Sequence, residues 1–476
     1  MPIPVLSIAE MRRWEQATWA TGQTEQAVIE QVGRLLAARL LRWSRPGDRI
    51  LILAGKGHNG DDARCSRPHL EAAQREVELV NVRDPEADLA AVQTALGRKP
   101  AWVVDGLFGI GLNRPLAAEW QRLIAVVNDA GRPVLAVDVP SGLDADTGRV
   151  FGAAIRAAIT VTLGAPKTGL LAPEATPHVG RLVVEPHIGL TDPPTEGELQ
   201  WILPEDFAGW PPPRPVDAHK GTFGHALLLA GSPGYHGAAV LAARAAQRAR
   251  PGLISLFTDA AVYGPVASQL QAVMVHAVGD NRFNLPEKGT ALLVGPGLAA
   301  PNAKNRFAEQ LLSAWRTTHH PVVVDASALD WLAPRHSPPR ENIRVLTPHP
   351  GEAARLLRSS AGQVQADRLQ ALRTISAQRG HCWVILKGRH TLIGRSEGPV
   401  YVNGSGNPDL AQGGAGDILA GLLVGYLAQP ELQADPARTL ALAVWQHGEA
   451  ADRLTAAGRR WVPEELVDAL GDPPEA

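Results

Sequence analysis

Short apolar runs alternate with longer stretches of mixed polarity along the whole chain. In the first part they are Arg49-Ile-Leu-Ile-Leu-Ala, Val77-Glu-Leu-Val-Asn-Val, Ala101-Trp-Val-Val-Asp, Val134-Leu-Ala-Val-Asp, Ile159-Thr-Val-Thr-Leu and Leu182-Val-Val-Glu. Short, mainly apolar runs suit strands covered on both faces, and the intervening amphipathic stretches suit helices that cover them. The rhythm predicts a mostly parallel sheet in an α/β domain. A second series follows: Ala226-Leu-Leu-Leu-Ala, Leu253-Ile-Ser-Leu-Phe, Ala291-Leu-Leu-Val-Gly, Pro321-Val-Val-Val-Asp, Ile343-Arg-Val-Leu and Trp383-Val-Ile-Leu-Lys. It predicts another α/β domain, closed by helices over 415–428 and 436–455. Between the two series, residues 189–215 are rich in Pro, Gly and Glu and read as a linker. The expectation is two domains, 1–205 and 206–476, with no short internal repeat.

A chain of 476 residues is long enough for two hydrophobic cores. With 46 Lys and Arg against 48 Asp and Glu, the net charge of -2 supplies no long-range field for nucleic acid or an anionic membrane, so neither is expected as a partner. An anionic ligand must then be held by local groups. The two cysteines, Cys65 and Cys382, fall in different expected domains without metal-ligand spacing, which argues against a disulfide framework. The N-terminus has no basic start followed by an apolar stretch, and no run reaches the ~18 apolar residues of a membrane span. The expected location is the cytoplasm. Adjacent His319 and His320 have no partner at zinc spacing. Trp14, Trp19 and Trp43 read as core or subunit contacts, not base-stacking surfaces, which would need interleaved basic residues.

The first candidate site lies at strand ends. Gly55-Lys-Gly-His-Asn-Gly-Asp-Asp-Ala follows the first strand directly and leads into a helical pattern, so free N–H groups would meet an anion there. Asp105, in Asp-Gly-Leu-Phe-Gly-Ile-Gly-Leu, and Asp138, in Asp-Val-Pro-Ser-Gly, close two further strands and should converge on the same crevice. Taken singly, each aspartate would more often be a cap or a turn former.

Together these motifs resemble the YjeF N-terminal, NAD(P)HX epimerase family, over about 200 residues. The resemblance implies a Rossmann-like doubly wound sheet and a K⁺ ion held by Asn59, Asp105 and Ser141, oxygen donors suited to a hard cation. It also implies a hydrated dinucleotide lying against His58, Asn59, Gly60, Asp61 and Asp62, the loop Gly109, Ile110, Gly111, Leu112, Asn113, Arg114 and Pro115, and Asp138. Asp138 would be the general acid/base that moves a proton as the C6 configuration of the hydrated ring is exchanged. Lys167, in Ala-Pro-Lys-Thr-Gly, is a weaker candidate. The sequence departs from the family pattern at His58 for Asn, Asp61 for Gly and Ala63 for Gly. Asp61 must turn away from a pyrophosphate or meet a cation, and a Cβ at Ala63 is expected to narrow backbone access.

The second candidate site is the run Gln412-Gly-Gly-Ala-Gly-Asp, which enters a helix and exposes N–H donors at its positive end. Asp417 would then sit beside an anion hole, placed to accept a hydroxyl proton. Around it stand Gly231-Ser-Pro-Gly-Tyr-His-Gly-Ala, Gly295-Pro-Gly-Leu, Val324-Asp-Ala-Ser-Ala-Leu, Thr347-Pro-His-Pro-Gly-Glu and Leu386-Lys-Gly-Arg-His-Thr. Their order and content resemble the ribokinase-like YjeF C-terminal, NAD(P)HX dehydratase family, over roughly 260 residues. The resemblance implies contacts from Ala238, Gly297, His349 and Asp417 to the hydrated dinucleotide. Lys387, Gly388, Arg389, His390, Thr391 and Gly416 would contact ADP, with Mg²⁺ bridging the donor phosphates. Departures here are Asp409 for Gly, Gln412 for a small hydroxyl residue, Ala415 for Ser and Ser327 for Asp.

The combined expectation is a bifunctional repair enzyme for NADHX and NADPHX, forming a homo-oligomer. Two rivals stand beside it. One is a ribokinase-like kinase that phosphorylates a small-molecule hydroxyl. The other keeps the N-terminal domain as a binding or scaffold module without catalysis.

Overall fold

The computed structural model describes residues 2–194, 197–280, 283–332 and 341–471. The chain divides into two compact units, one spanning Ile3–Glu198 and the other running from Leu199 onward. After the short strand β1 (Ile3–Pro4), the first unit builds β2 (Arg49–Ala54), β3 (Glu76–Asn81), β4 (Trp102–Gly106), β5 (Val134–Val137), β6 (Ile159–Leu163) and β7 (Arg181–Glu185). They form a parallel sheet in the order β3-β2-β4-β5-β6-β7, doubly wound about β2. Every residue of β5 and β6 is buried. β5 is wholly apolar, whereas the two buried threonines of β6 satisfy their hydroxyls internally, Thr160 Oγ1 donating to the Val179 carbonyl at 2.7 Å and Thr162 Oγ1 to Asp138 Oδ1 at 3.2 Å. Apolar clusters lie on both faces of this sheet, one around Val32, Leu36 and Ile52, the other around Leu53, Leu123 and Val127.

The second unit holds β8 (Leu199–Trp201), β9 (His225–Leu229), β10 (Leu253–Asp259), β11 (Met274–Val278), β12 (Ala291–Val294), β13 (Val322–Val324), β14 (Arg344–Leu346), β15 (Trp383–Leu386), β16 (Thr391–Gly394) and β17 (Val400–Asn403). Their order is β8-β17-β16-β15-β14-β13-β12-β9-β10-β11, parallel except for the β15-β16-β17 meander. The expected helices form as Ala415–Leu427 and Pro436–Ala456. Eleven of the 13 residues in Ala415–Leu427 are buried, as an apolar helix at the centre of a core requires.

The boundary expected at 205/206 needs correction. Leu199–Trp201 lies within the Pro-rich stretch yet pairs with β17 in the second unit's sheet, and Trp201 is 4% exposed. A buried tryptophan and three backbone pairings outweigh the composition that suggested a linker.

Candidate active sites

In the first unit, the ends of β2, β4, β5 and β6 surround a cavity of about 880 Å³. Helix His58–Ala72 starts directly after β2 with Gly57 as its N-cap. His58, Asn59 and Asp62 line the cavity, as do all residues from Gly109 to Pro115, and Asp138. Gly60 and Asp61 do not. A Cβ at Gly60 would lie 2.2 Å from the Gly55 carbonyl oxygen, so this glycine serves the tight approach of helix to strand. Asp61 turns outward and accepts a hydrogen bond from Arg64 Nη1 at 2.6 Å. The same guanidinium donates through Nε to Asn81 Oδ1 at 2.7 Å and through Nη2 to the Gly55 carbonyl. The unusual carboxylate is thus neutralised away from the cavity. Ala63 is also corrected: it is fully buried, and its Cβ packs against Gly106 without facing the cavity.

Asp138 has φ 62°, a left-handed backbone at the strand end that aims its carboxyl back over β6. Its Oδ1 accepts from Lys167 Nζ at 2.5 Å, Leu163 N at 3.0 Å and Thr162 Oγ1 at 3.2 Å. Lys167 is 1% exposed and also donates to the Leu163 carbonyl at 2.7 Å. A lysine read as a weak candidate is therefore the buried counter-ion of the expected acid/base. The sequence reading also missed Met11, Arg12, Glu15 and Trp19, which bring helix Ile8–Trp19 to the cavity wall.

Beside the cavity wall, Asp105 is wholly buried and held by Ser141. The Ser141 hydroxyl donates to Oδ1 at 2.6 Å, its N–H donates to Oδ2 at 2.9 Å, and Leu107 N adds a bond to Oδ1 at 3.3 Å. Burial pushes the Asp105 carboxyl up to about 6, with the Ser141 and Leu107 bonds acting in the opposite direction. Asn59 Nδ2 donates to the Phe108 carbonyl at 3.0 Å, and the Phe108 N–H donates to Ser141 Oγ at 2.9 Å. Asn59, Asp105 and Ser141 are thereby joined through one segment.

In the second unit, the ends of neighbouring strands β13, β14 and β15 meet the start of helix Ala415–Leu427. Gly414, with φ 104°, caps that helix in a conformation open to glycine, and a Cβ on Gly416 would lie 3.4 Å from Lys387 Nζ. Lys387 Nζ donates to Asp325 Oδ1 at 2.9 Å and is 3.8 Å from Glu352 Oε2. Thr347 Oγ1 donates to the same Asp325 oxygen at 2.6 Å. Burial opposes the Lys387 charge, but Asp325, Glu352 and Asp417 hold its amine above the ordinary value. Asp417 is raised to about 7, first by burial, then by Asp325 and Glu352, with Lys387 opposing. Neither Asp325 nor Glu352 received a role in the sequence reading, although both stand within its strand-end motifs.

His349 accepts hydrogen bonds at Nδ1 from Gly351 N (3.0 Å) and Glu352 N (3.4 Å), a capping arrangement that fixes its ring at the end of β14. Ala238 and Gly297 are neighbours: a Cβ on Gly297 would lie 3.0 Å from that of Ala238. Gly388 and His390 both have positive φ in the β15–β16 turn, and Arg368 braces it by donating to the Leu386, Lys387 and Arg389 carbonyls. Thr391 Oγ1 donates to the Gly388 carbonyl at 2.9 Å. The departures at 409 and 412 tie down the glycine loop. Asp409 accepts from Thr455 Oγ1 at 2.9 Å, and Gln412 Nε2 donates to the Asp409 and Trp461 carbonyls.

Residues 226–471 match the family model described as NAD(P)H-hydrate dehydratase, and residues 66–169 match that of the YjeF-related protein N-terminus. A bifunctional NAD(P)H-hydrate repair enzyme of Gloeobacter violaceus is 36% identical, with 95% of this chain and 94% of that protein covered. The chain belongs to the bifunctional NAD(P)H-hydrate repair enzyme family. The Coxiella burnetii member is 34% identical, with 94% of each chain covered. Among solved structures, the ADP/ATP-dependent NAD(P)H-hydrate dehydratase of Bacillus subtilis, co-crystallised with ATP and Mg²⁺, is 33% identical. It matches 56% of this chain and 94% of its own with a TM-score of 0.51. A ribokinase-like superfamily protein from Enterococcus faecalis matches 59% of this chain and 97% of its own at 25% identity and a TM-score of 0.50. Both structural likenesses are of the size expected for the second unit, and family membership rests on both halves of the chain.

Proposed function

We propose that this protein repairs hydrated nicotinamide nucleotides with two activities, epimerising R and S NAD(P)HX and dehydrating the S form to NAD(P)H at the expense of ADP, with release of AMP and phosphate. The carrying observation is that one chain holds two strand-end sites of complementary chemistry. One has a carboxyl paired with a buried lysine in a large cavity, and the other has a carboxyl raised to about 7 beside a helix N-terminus and a lysine. Interconverting the epimers makes a mixed pool available to a dehydratase that accepts one of them.

In the first unit, His58, Asn59, Asp62 and the Gly109–Pro115 loop hold the dinucleotide, and Asp138, ion-paired with Lys167, exchanges a proton as the C6 configuration is inverted. Asn59, Asp105 and Ser141, with the Phe108 carbonyl, suit K⁺. They offer oxygen donors only, and Asp105 is a buried carboxylate without, among the described residues, a lysine or arginine in hydrogen-bond contact. Such an ion supplies the missing positive charge.

In the second unit, Asp417 removes the C6 hydroxyl proton as that oxygen attacks the terminal phosphate of ADP. Helix N–H groups after Gly414 hold the transferred phosphoryl group, and Lys387 with Gly388–Thr391 holds the nucleotide. Phosphate then leaves C6, pushed by the ring-nitrogen lone pair, and loss of a proton restores the dihydronicotinamide. Mg²⁺, when bound with the nucleotide, neutralises charge on the donor phosphates. Free Cys65 and Cys382 suit a reducing compartment, here the cytoplasm, and we keep a homo-oligomer as the working assembly.

The test supplies purified protein with both NADHX epimers, ADP and Mg²⁺ and follows NADH absorbance. Full conversion is expected. Asp138→Ala should leave fast conversion of the S epimer alone, and Asp417→Ala should lower the dehydration rate by roughly 10²–10⁴-fold. A stable phosphorylated product in place of NADH would favour the kinase reading.

A further inference from the structure

Asp62 shares the epimerase cavity with Asp138 but has the opposite environment. It is 8% exposed and lines the cavity, and among the described residues no donor is bonded to its carboxyl. Burial drives it well above the ordinary carboxylate range. Asp138 just past β5, Lys167 in the loop after β6, Asp61 on its own helix and Glu15 on helix Ile8–Trp19 also act on it. The three carboxylates reinforce the rise, and Lys167, bonded to Asp138, opposes it. The cavity therefore contains one carboxyl without a donor among the described residues and another that accepts three hydrogen bonds, one of them from a buried lysine, unlike environments of the kind that separate an acid from a base.

Inversion at C6 needs two such groups when the hydroxyl departs and water returns from the other side. Resting on the epimerase reading, we propose that Asp62 is a second catalytic residue, protonating the departing C6 hydroxyl while Asp138 takes a proton from the water that adds to the opposite face. The C6–O bond breaks, the ring-nitrogen lone pair forms the C6–N double bond, and water leaves. A second water then forms the new C6–O bond and its addition returns the electron pair to nitrogen. One proton leaves Asp62 and one arrives on Asp138; proton exchange with solvent through the open cavity restores both before the next turnover, and the reverse reaction runs the same steps with the two roles exchanged.

The experiment follows interconversion of separated NADHX epimers by the full chain in H₂¹⁸O without ADP. Expected results are ¹⁸O uptake matching inversion and a kcat lowered roughly 10²-fold or more by Asp62→Asn. KM should change far less, the melting temperature should stay unchanged, and Asp62→Glu should restore part of the rate. Wild-type kcat should fall on the alkaline side as Asp62 loses its proton, and Asp62→Asn should lack that fall. An Asp62→Asn variant with full kcat and the alkaline fall intact would overturn the assignment, as would inversion without ¹⁸O uptake. A wild-type protein that leaves the epimers unmixed overturns the epimerase reading, and this assignment with it.

Discussion

Burial and the charges of Asp325 and Glu352 raise the Asp417 carboxyl to about 7, while Lys387 pulls it down. As the proposed base, Asp417 must be ionised to act, so kcat/KM for dehydration should rise with pH through about 7 and then level. Replacing Lys387 by Met removes the lowering charge, and the rising limb should move to higher pH, beyond any loss of nucleotide affinity. A limb that stays in place would show that another group sets it. Asp105 gives a second test. Its folded value of about 6 lies above that of an ordinary aspartate, so its contribution to stability is present at low pH and lost as pH rises through about 6. The K⁺ proposed above for this site would compete with that proton. The rise in melting temperature on replacing a large organic cation by K⁺ should therefore be full above pH ~6 and shrink below it. An equal rise at both ends of the range would detach the effect from Asp105.

Packing between two helices decides how the dehydratase helix is placed. A Cβ on Gly421 would lie 2.1 Å from the Ala242 carbonyl oxygen, and one on Gly425 would lie 2.6 Å from that of Ala246. Helix Ala415–Leu427 can thus touch helix His236–Arg248 backbone to backbone. Gly421→Ala should force the pair apart, costing ~1–3 kcal/mol in urea unfolding and reducing dehydration, because the same helix carries Asp417. Gly237→Ala has open space around its Cβ and should be close to neutral. Equal effects from both substitutions would refute the packing argument. At this scale much was legible: runs such as Val134–Val137 and Val322–Val324 read as strands because parallel strands are buried on both faces, and the site motifs follow them directly. Lys167 was not legible as a counter-ion, because an ion pair with Asp138 depends on how two distant loops fold together. Nor were Met11, Arg12 and Glu15, whose helix shows its amphipathic pattern without showing that a cavity lies against it.

For the whole molecule, the division of the chain matters more than the composition of the segment that joins its units. β8 is three residues long, too short for any periodicity to reveal amid Pro and Gly, yet it covers the edge of β17. Trp201 fills the space left by Gly404, where a Cβ would meet its ring at 2.1 Å. A fragment beginning at 199 keeps this strand and its tryptophan, whereas one beginning at 206 exposes both a strand edge and the Gly404 groove. The longer fragment should dehydrate S-NADHX at the full chain's rate. The shorter should unfold ~3–5 kcal/mol more readily, the range for losing a buried aromatic side chain, and should aggregate on heating. Equal unfolding midpoints would mean that residues 199–205 are a linker after all, as their composition suggests, and that β8 contributes nothing to the dehydratase core.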